Sequence, residues 1–227
     1  MRRLTFFEDY DEFLDRRPDR RLRLAEAQSN TYRPRGDGTI AQASLGLEHL
    51  SVSHLIDANE FFQKLDPTWV WHNLTSIALT SWTLGPDEHH AEISALFKKA
   101  AAAAMRMPRL KVMEVWNSEE GWACVFRYQV FGDRRPAALT WRANFNVHLE
   151  PDVVELWREV AETNAQSELS VNKELLGAVD ISSNLGDAIH HLKLVNQVVH
   201  PVSLWQMRRE SAVRARSRPV ADPSTDD

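Results

Sequence analysis

The chain has 227 residues, of which 43% are hydrophobic and 26% charged, and its formal net charge is -5. These values are typical of a folded globular protein and exclude collagen-like and low-complexity chains. The net negative charge argues against nucleic acid or an anionic membrane as a partner, and no segment approaches the roughly 20 apolar residues of a membrane span.

The single cysteine, Cys124, excludes an internal disulfide framework and suits a reducing compartment. Acidic residues from Glu8 onwards leave no apolar stretch for a signal peptide near the first residue. We therefore expect a cytoplasmic or nuclear protein. The distribution of apolar residues predicts one domain over residues 1–218, with a mixed-charge surface loop at 11–40 and a disordered tail at 219–227.

Three segments, beginning at Leu47, Leu74 and Leu110, share the spacing L-x-x-Φ-x-Φ, where Φ is an apolar residue. This spacing is the strand signature of leucine-rich repeats, in which alternate side chains face the core. The segments are 27 and 36 residues apart, so the first interval fits the usual repeat length and the second exceeds it. The pattern predicts neighbouring parallel strands, and residues 4–7 are a candidate strand to cover the open edge.

Parallel strands need crossover connections, which are usually helical. Residues 57–63 predict a short helix in the first crossover. In the second, Pro86 and the acids after it predict the start of a helix whose apolar residues recur at three- and four-residue steps until Pro108.

After Leu110 the sequence predicts an antiparallel meander with strands over 110–116, 122–130 and 138–149. We then predict a helix that begins at Pro151, another strand over 168–171, and two helices over 185–196 and 202–216. The predicted fold class is α/β: an irregular, partly parallel, curved sheet of leucine-rich-repeat type that continues into a meander, with helices on one side and at the carboxy terminus.

No catalytic signature is present among the standard motifs, which include G-x-S-x-G, the phosphate-binding loop and H-E-x-x-H. His190 and His191 are adjacent and therefore point about 100° apart on a helix, so they do not form a metal site with His200 and Asp187. Cys124 alternates with Trp122 and Phe126 on an apolar strand face, which predicts a buried, inert thiol. We expect no catalytic residue, no cofactor and no metal.

A cluster of arginines near the carboxy terminus is the best candidate for nucleic-acid binding. Glu210 interrupts it and Trp205 is its only nearby aromatic residue, so a solvated helix end is the preferred interpretation. The cluster comprises Arg208, Arg209, Arg214, Arg216 and Arg218.

Several runs of sequence carry a resemblance to a known family. They are LEHLSVSHLIDANEFF (47–62), LTSIALTSWTL (74–84), AAAAAMRMPRLKVMEVWN (100–117), ACVFRY (123–128), ALTWR (138–142) and DAIHHLKLVNQVVHPVSLWQMRRE (187–210). They resemble the carboxy-terminal region of uncharacterised fungal F-box domain-containing proteins. Longer relatives carry an F-box and further leucine-rich-type strands before a segment like LTFFEDY (4–10). The resemblance implies a substrate-holding fold without the ligase-recruiting part, and it supplies no catalytic residue.

We therefore predict a non-catalytic protein-interaction domain, whose partner contacts the outward positions of the repeat strands. The candidate contact residues are Glu48, Ser51, Thr75, Ala78, Lys111 and Glu114.

Two alternatives stay open. The first is a truncated substrate receptor of an F-box ubiquitin ligase. The second is a small-molecule enzyme, which predicts an apolar pocket where several titratable residues converge. Those residues are His148, His190, His200, Glu114 and Asp180.

Overall fold

The structure is a computed structural model that describes residues 2–7, 37–119, 121–132, 135–177 and 185–217. The described elements, in chain order, are β1 (Arg3–Phe7), α1 (Asp37–Ala43), β2 (His49–Asp57), α2 (Ala58–Gln63), β3 (Ser76–Thr80), α3 (His90–Ala104), β4 (Val112–Glu119), β5 (Trp122–Gln129), β6 (Ala137–Ala143), α4 (Pro151–Ala165), β7 (Leu169–Leu175), α5 (Leu185–Leu192) and α6 (Pro201–Ser217).

The seven strands form one sheet in which each strand lies beside its neighbour in the sequence. β1, β2, β3 and β4 are parallel, and Leu50, Ile77 and Met113 are aligned across β2, β3 and β4. The prediction that the three repeat segments form neighbouring parallel strands is therefore confirmed. β1 covers the edge of β2, as expected for residues 4–7.

The second half of the sheet has a different connectivity. β4, β5 and β6 are antiparallel, and α4 crosses back so that β7 lies parallel to β6. Gly121, with a φ of 84°, occupies the tight connection between β4 and β5, where a left-handed backbone favours glycine. The α/β fold with a partly parallel sheet is thus confirmed.

Several predicted boundaries were wrong. β4 spans Val112–Glu119 rather than 110–116, because residues after Trp116 still pair with β5. α3 begins at His90 rather than at Pro86, because Pro86 lies in a turn in which the N–H of Glu88 donates to the carbonyl of Gly85. β6 ends at Ala143 rather than at residue 149, because the side chain of Asn144 bonds back to Gly121 and Ala123 across the hairpin.

α5 ends at Leu192, four residues earlier than predicted, because Lys193 adopts a left-handed φ of 50°. β7 extends beyond the predicted 168–171 as far as Leu175. The predicted loop at 11–40 and the predicted tail at 219–227 lie outside the described residues, except that Asp37 begins a helix.

Apolar residues from the first four helices pack on one side of the sheet, which we call the helix-covered face. Phe61 of α2, Phe97 of α3 and Trp157 of α4 belong to one buried cluster with Leu50 and Phe126 of the sheet. The opposite side, the second face, carries a smaller cluster that joins α5 to β4 and β5. No described helix is long and apolar enough to cross a membrane.

Candidate functional site

A buried ion pair lies at the centre of the second face. Glu114 of β4 and Arg127 of β5 are opposite each other in the antiparallel register, and Arg127 Nε donates to Glu114 Oε1 at 2.8 Å. Glu114 is 0% exposed. A buried carboxylate is tolerated only when it is paired and its oxygens accept further hydrogen bonds.

Those further bonds come from the linker between α5 and α6, residues 193–200. The N–H groups of Val195 and Asn196 donate to Glu114 at 2.8 and 2.9 Å, and Asn196 Nδ2 donates at 2.8 Å. Arg127 Nη2 donates to the carbonyls of Leu192 and Lys193. The ion pair therefore fastens the linker across the second face.

This arrangement corrects the expectation that the predicted contact residues all lie outward on an open face. Glu114 and Ala78 are fully buried and Ser51 is 5% exposed. The physical reason is that α5 and the linker cover the middle of the second face, which strand alternation alone does not indicate. Thr75 and Glu48 are half-buried, and the hydroxyl of Thr75 donates to the carbonyl of Glu48. Lys111 is exposed as expected.

A cleft of about 400 Å³ remains open beside the linker, at the amino ends of the parallel strands. We call it the basic cleft. Its floor comes from the first residues of β1 to β4, and Val195 to Gln197 form one wall. Three of the predicted contact residues, Ser51, Thr75 and Lys111, line it. The polar lining residues that matter most below are Arg3, His49, Ser51, Ser76, Lys111 and Gln197.

Two neutral polar groups lie on the floor of the basic cleft. His49 Nδ1 and Ser76 Oγ are 2.7 Å apart. Burial lowers the pKa of His49 and the positive charge of Arg3 lowers it further, so the imidazole is neutral at pH 7. The hydroxyl of Ser51 is buried and has no hydrogen-bond partner. An unsatisfied buried hydroxyl is costly, and Ser51 is one of the residues that line the cleft.

The two cations of the basic cleft come from its outermost strands, Arg3 from β1 and Lys111 from the residue before β4. Arg3 and Lys111 are both exposed, and neither forms an ion pair with a described residue. None of the described lining residues is acidic. The cleft is therefore locally positive on a chain whose net charge is -5.

A second unusual group, His54, lies near the other end of β2. Its backbone has a φ of 63° within an irregular stretch of the strand, and its N–H donates to Thr80 Oγ1 at 2.7 Å. The imidazole packs against Trp116, Trp82 and Phe7, with ring centroids 5.3 to 6.1 Å away. Both ring nitrogens are buried without a partner, and burial lowers the pKa of His54 to about 4.

The remaining sequence-based candidates do not assemble into a site. His190 and His191 are in edge-to-face contact, and Asp187 accepts a hydrogen bond from Arg208. Within the described ranges, no group of three or more histidine, cysteine or acidic residues is placed to bind a metal. Cys124 is buried as predicted, and burial raises the pKa of its thiol.

The pocket predicted for an enzyme is not formed by its described candidates. His148, His190 and His200 are exposed, Glu114 is buried in its ion pair, and none of the four lines the basic cleft. Asp180 and the side chains of the arginines beyond Arg209 lie outside the description.

Sequence reasoning missed Arg3, His49, Ser76 and Gln197 as lining residues. A signal for two of them was present, because His49 and Ser76 occupy the same position of the repeat, two residues after Leu47 and Leu74. In register they are direct neighbours. The wall formed by the linker had no such signal.

Comparison with known proteins places the chain in one family. Residues 1–200 match the family described as "Family of unknown function (DUF6546)", and the chain belongs to it. No curated protein and no solved structure matches the chain.

Proposed function

We propose that this member of the DUF6546 family is a protein-interaction domain, and that a partner protein binds at the basic cleft. The observation that carries the proposal is that two exposed cations, Arg3 and Lys111, line the same cleft. Neither has an ion-pair partner in the described chain, and Ser51, whose hydroxyl is unsatisfied, lies on a strand between them. Unpaired charges and a free donor in a concave site favour ligand recognition.

The rigidity of the site also supports binding. The four strands of the floor are hydrogen-bonded in register, and the wall is fastened by the Glu114–Arg127 ion pair. A preformed site loses little conformational entropy when a partner docks. Glu114 and Ala78 would then contribute by supporting the cleft, whereas Ser51, Thr75 and Lys111 would contact the partner.

Kinship with fungal F-box proteins is a second part of the proposal. It is supported by the sequence runs given above and by the parallel strands that the repeat pattern predicted. On this view the chain corresponds to the substrate-holding region of such a receptor. An in-frame F-box upstream in the transcript, together with recovery of the ligase adaptor, would support it. A transcript with no such segment would contradict it.

The interaction is tested by affinity purification of the tagged full chain from its own cells, followed by mass spectrometry. We expect a defined set of proteins to be retained by the wild type and lost by Arg3→Glu and by Lys111→Glu. Arg109→Glu is the matched control, because Arg109 is exposed near Lys111 but does not line the basic cleft. If both cleft variants retained every protein bound by the wild type, the proposed site would be wrong.

A further inference from the structure

We infer that the basic cleft binds an extended acidic segment of the partner, with two carboxylates about four residues apart. The inference rests on the proposed function and adds the chemistry of the bound segment. It follows from the spacing of the strands that carry the two cations and from the neutral groups between them. It also follows from the described lining residues, which include no acidic side chain and no aromatic ring other than that of His49.

The strand register sets the distance between the cations. Arg3, His49, Ser76 and Val112 are aligned across four consecutive strands, and Lys111 precedes Val112. Adjacent strands lie about 4.8 Å apart, so the two ends of the cleft are separated by about 14 Å. This distance separates the two backbones, and the side chains of Arg3 and Lys111 are both exposed, so each cation can bind a carboxylate of its own.

An extended peptide meets this spacing. Four residues of extended chain span about 13 Å, and side chains four residues apart project from the same side. A segment lying across the strands with acidic side chains at positions i and i+4 therefore presents one carboxylate to Arg3 and the other to Lys111. The cleft, at about 400 Å³, also has the size of a ligand site rather than of an extended protein interface.

The groups between the cations suit the neutral backbone of such a segment. His49 is uncharged at pH 7, Ser51 has an unused hydroxyl and Gln197 adds an exposed amide to the wall. Glu48 lies next to His49 in the sequence, but it has interactions of its own and does not line the cleft.

A single-stranded nucleic acid fits the same cleft less well. Proteins that bind single strands combine positive charge with aromatic side chains on which bases stack. No aromatic side chain other than the imidazole of His49 is found among the described lining residues. We therefore assign the site to an acidic peptide and treat nucleic acid as an outcome of the test.

The experiment uses the full chain and three fluorescein-labelled seven-residue peptides of glycine, serine and two variable residues. The first has glutamates four positions apart, the second has the same composition with adjacent glutamates, and the third has glutamines four positions apart. We expect fluorescence anisotropy to show binding of the first peptide, at least fivefold weaker binding of the second and none of the third. Raising the salt concentration should weaken the first interaction.

Charge reversal provides the specificity control. Arg3→Glu or Lys111→Glu should each weaken binding of the first peptide about tenfold, whereas Arg109→Glu should change it less than twofold. The double variant Arg3→Glu/Lys111→Glu should instead bind a peptide with lysines four positions apart. Circular dichroism of each variant checks that it is folded.

Three results would overturn the inference: no binding of the first peptide, equal binding of the first and second, or tighter binding of oligodeoxythymidylate than of the first peptide. If cellular partners were lost by Lys111→Glu but no acidic peptide bound the wild type, the inference would fail while the proposed function stood. If the peptide bound and no partner depended on the cleft, the proposed function would fail.

Discussion

On the helix-covered face of the sheet, Phe97 stacks on Phe126 with ring centroids 3.9 Å apart, and Trp157 packs against the same ring. On the second face, the same strands present Ser51, Glu114 and Arg127. The first face is covered by four helices, whereas the second is covered in the middle by α5 and its linker and remains open at the basic cleft.

The difference between the faces shows that one sheet carries an apolar core on one side and the proposed binding site on the other. The apolar face removes a large area from water, which is the dominant source of folding free energy. The second face keeps charged and polar groups, of which Glu114 and Arg127 bond to the linker while Arg3 and Lys111 stay exposed. Substitutions on the helix-covered face should therefore lower mainly the free energy of unfolding, whereas substitutions at the basic cleft should weaken mainly partner binding.

The largest effect is expected on the helix-covered face. Trp157 is fully buried, contacts Phe126 and Tyr128, and donates from Nε1 to the carbonyl of Phe97. Trp157→Ala should lower the free energy of unfolding by about 4 kcal/mol because it leaves a large cavity. Urea denaturation measures this loss.

Trp205→Ala is the matched control for that substitution, because Trp205 is 61% exposed. It should change the free energy of unfolding by less than about 0.5 kcal/mol. Equal effects of the two substitutions would show that the helix-covered face is not the main core.

The next largest effect is expected at the ion pair of the second face. Glu114→Ala leaves Arg127 buried without its partner, which should cost about 3 kcal/mol. It also removes the acceptor for Val195 and Asn196, so hydrogen exchange should accelerate in the linker. The double variant Glu114→Ala/Arg127→Met should recover part of the lost stability, since no charge is left unpaired. Unchanged exchange in the linker would contradict the fastening role.

A smaller effect is expected from acid acting on His54. Its pKa is about 4 in the folded protein and about 6.5 in an unfolded chain, so the unfolded state binds more protons between those values. Stability should therefore fall as the pH is lowered from 7 to 4. We expect a loss of about 2 kcal/mol, which is less than the full difference in pKa implies, because the ring is not wholly shielded from solvent. Chemical denaturation at several pH values measures the slope.

His54→Asn is the control for that titration, because asparagine tolerates a left-handed backbone and does not titrate. Burial raises the pKa of the nearby carboxyl of Asp57, which also titrates in acid, but both proteins carry it and its contribution cancels in the comparison. If wild type and variant lost stability equally between pH 7 and 4, His54 would not be the acid-sensitive group.

The smallest effect on stability is expected at the basic cleft. Lys111 is exposed and unpaired among the described residues, so Lys111→Glu should change the free energy of unfolding by less than about 0.5 kcal/mol while it weakens partner binding. Thermal unfolding and binding measured on one preparation separate the two quantities. A large loss of stability would assign Lys111 to the fold rather than to recognition.

The sequence predicted the helix-covered face better than the second face, and the reason is physical. The apolar positions of the three repeats, such as Leu50, Ile77 and Met113, follow a local period that fixes both the strands and the side that is buried. The burial of Glu114 depends instead on Arg127 in the next strand and on a linker about 80 residues away in the sequence. A local sequence pattern indicates neither the contact with Arg127 nor the contact with the linker.

The sequence did not predict the basic cleft, but some of its lining residues are among the candidate contact residues. Ser51, Thr75 and Lys111 were named as candidates because they occupy outward repeat positions, whereas Arg3 lies outside the repeats and Gln197 lies in the linker. The amphipathic pattern of α5 indicated that one of its sides is buried, but not that it would pack on the second face.

The most direct test of a binding site at the basic cleft is hydrogen–deuterium exchange of the full chain, alone and with a partner recovered by affinity purification. Bound partner should slow exchange at the amino ends of β1 to β4 and in residues 195–197, and leave β7 unchanged. Protection confined to β7 or to the exposed sides of α3 and α4 would contradict the account.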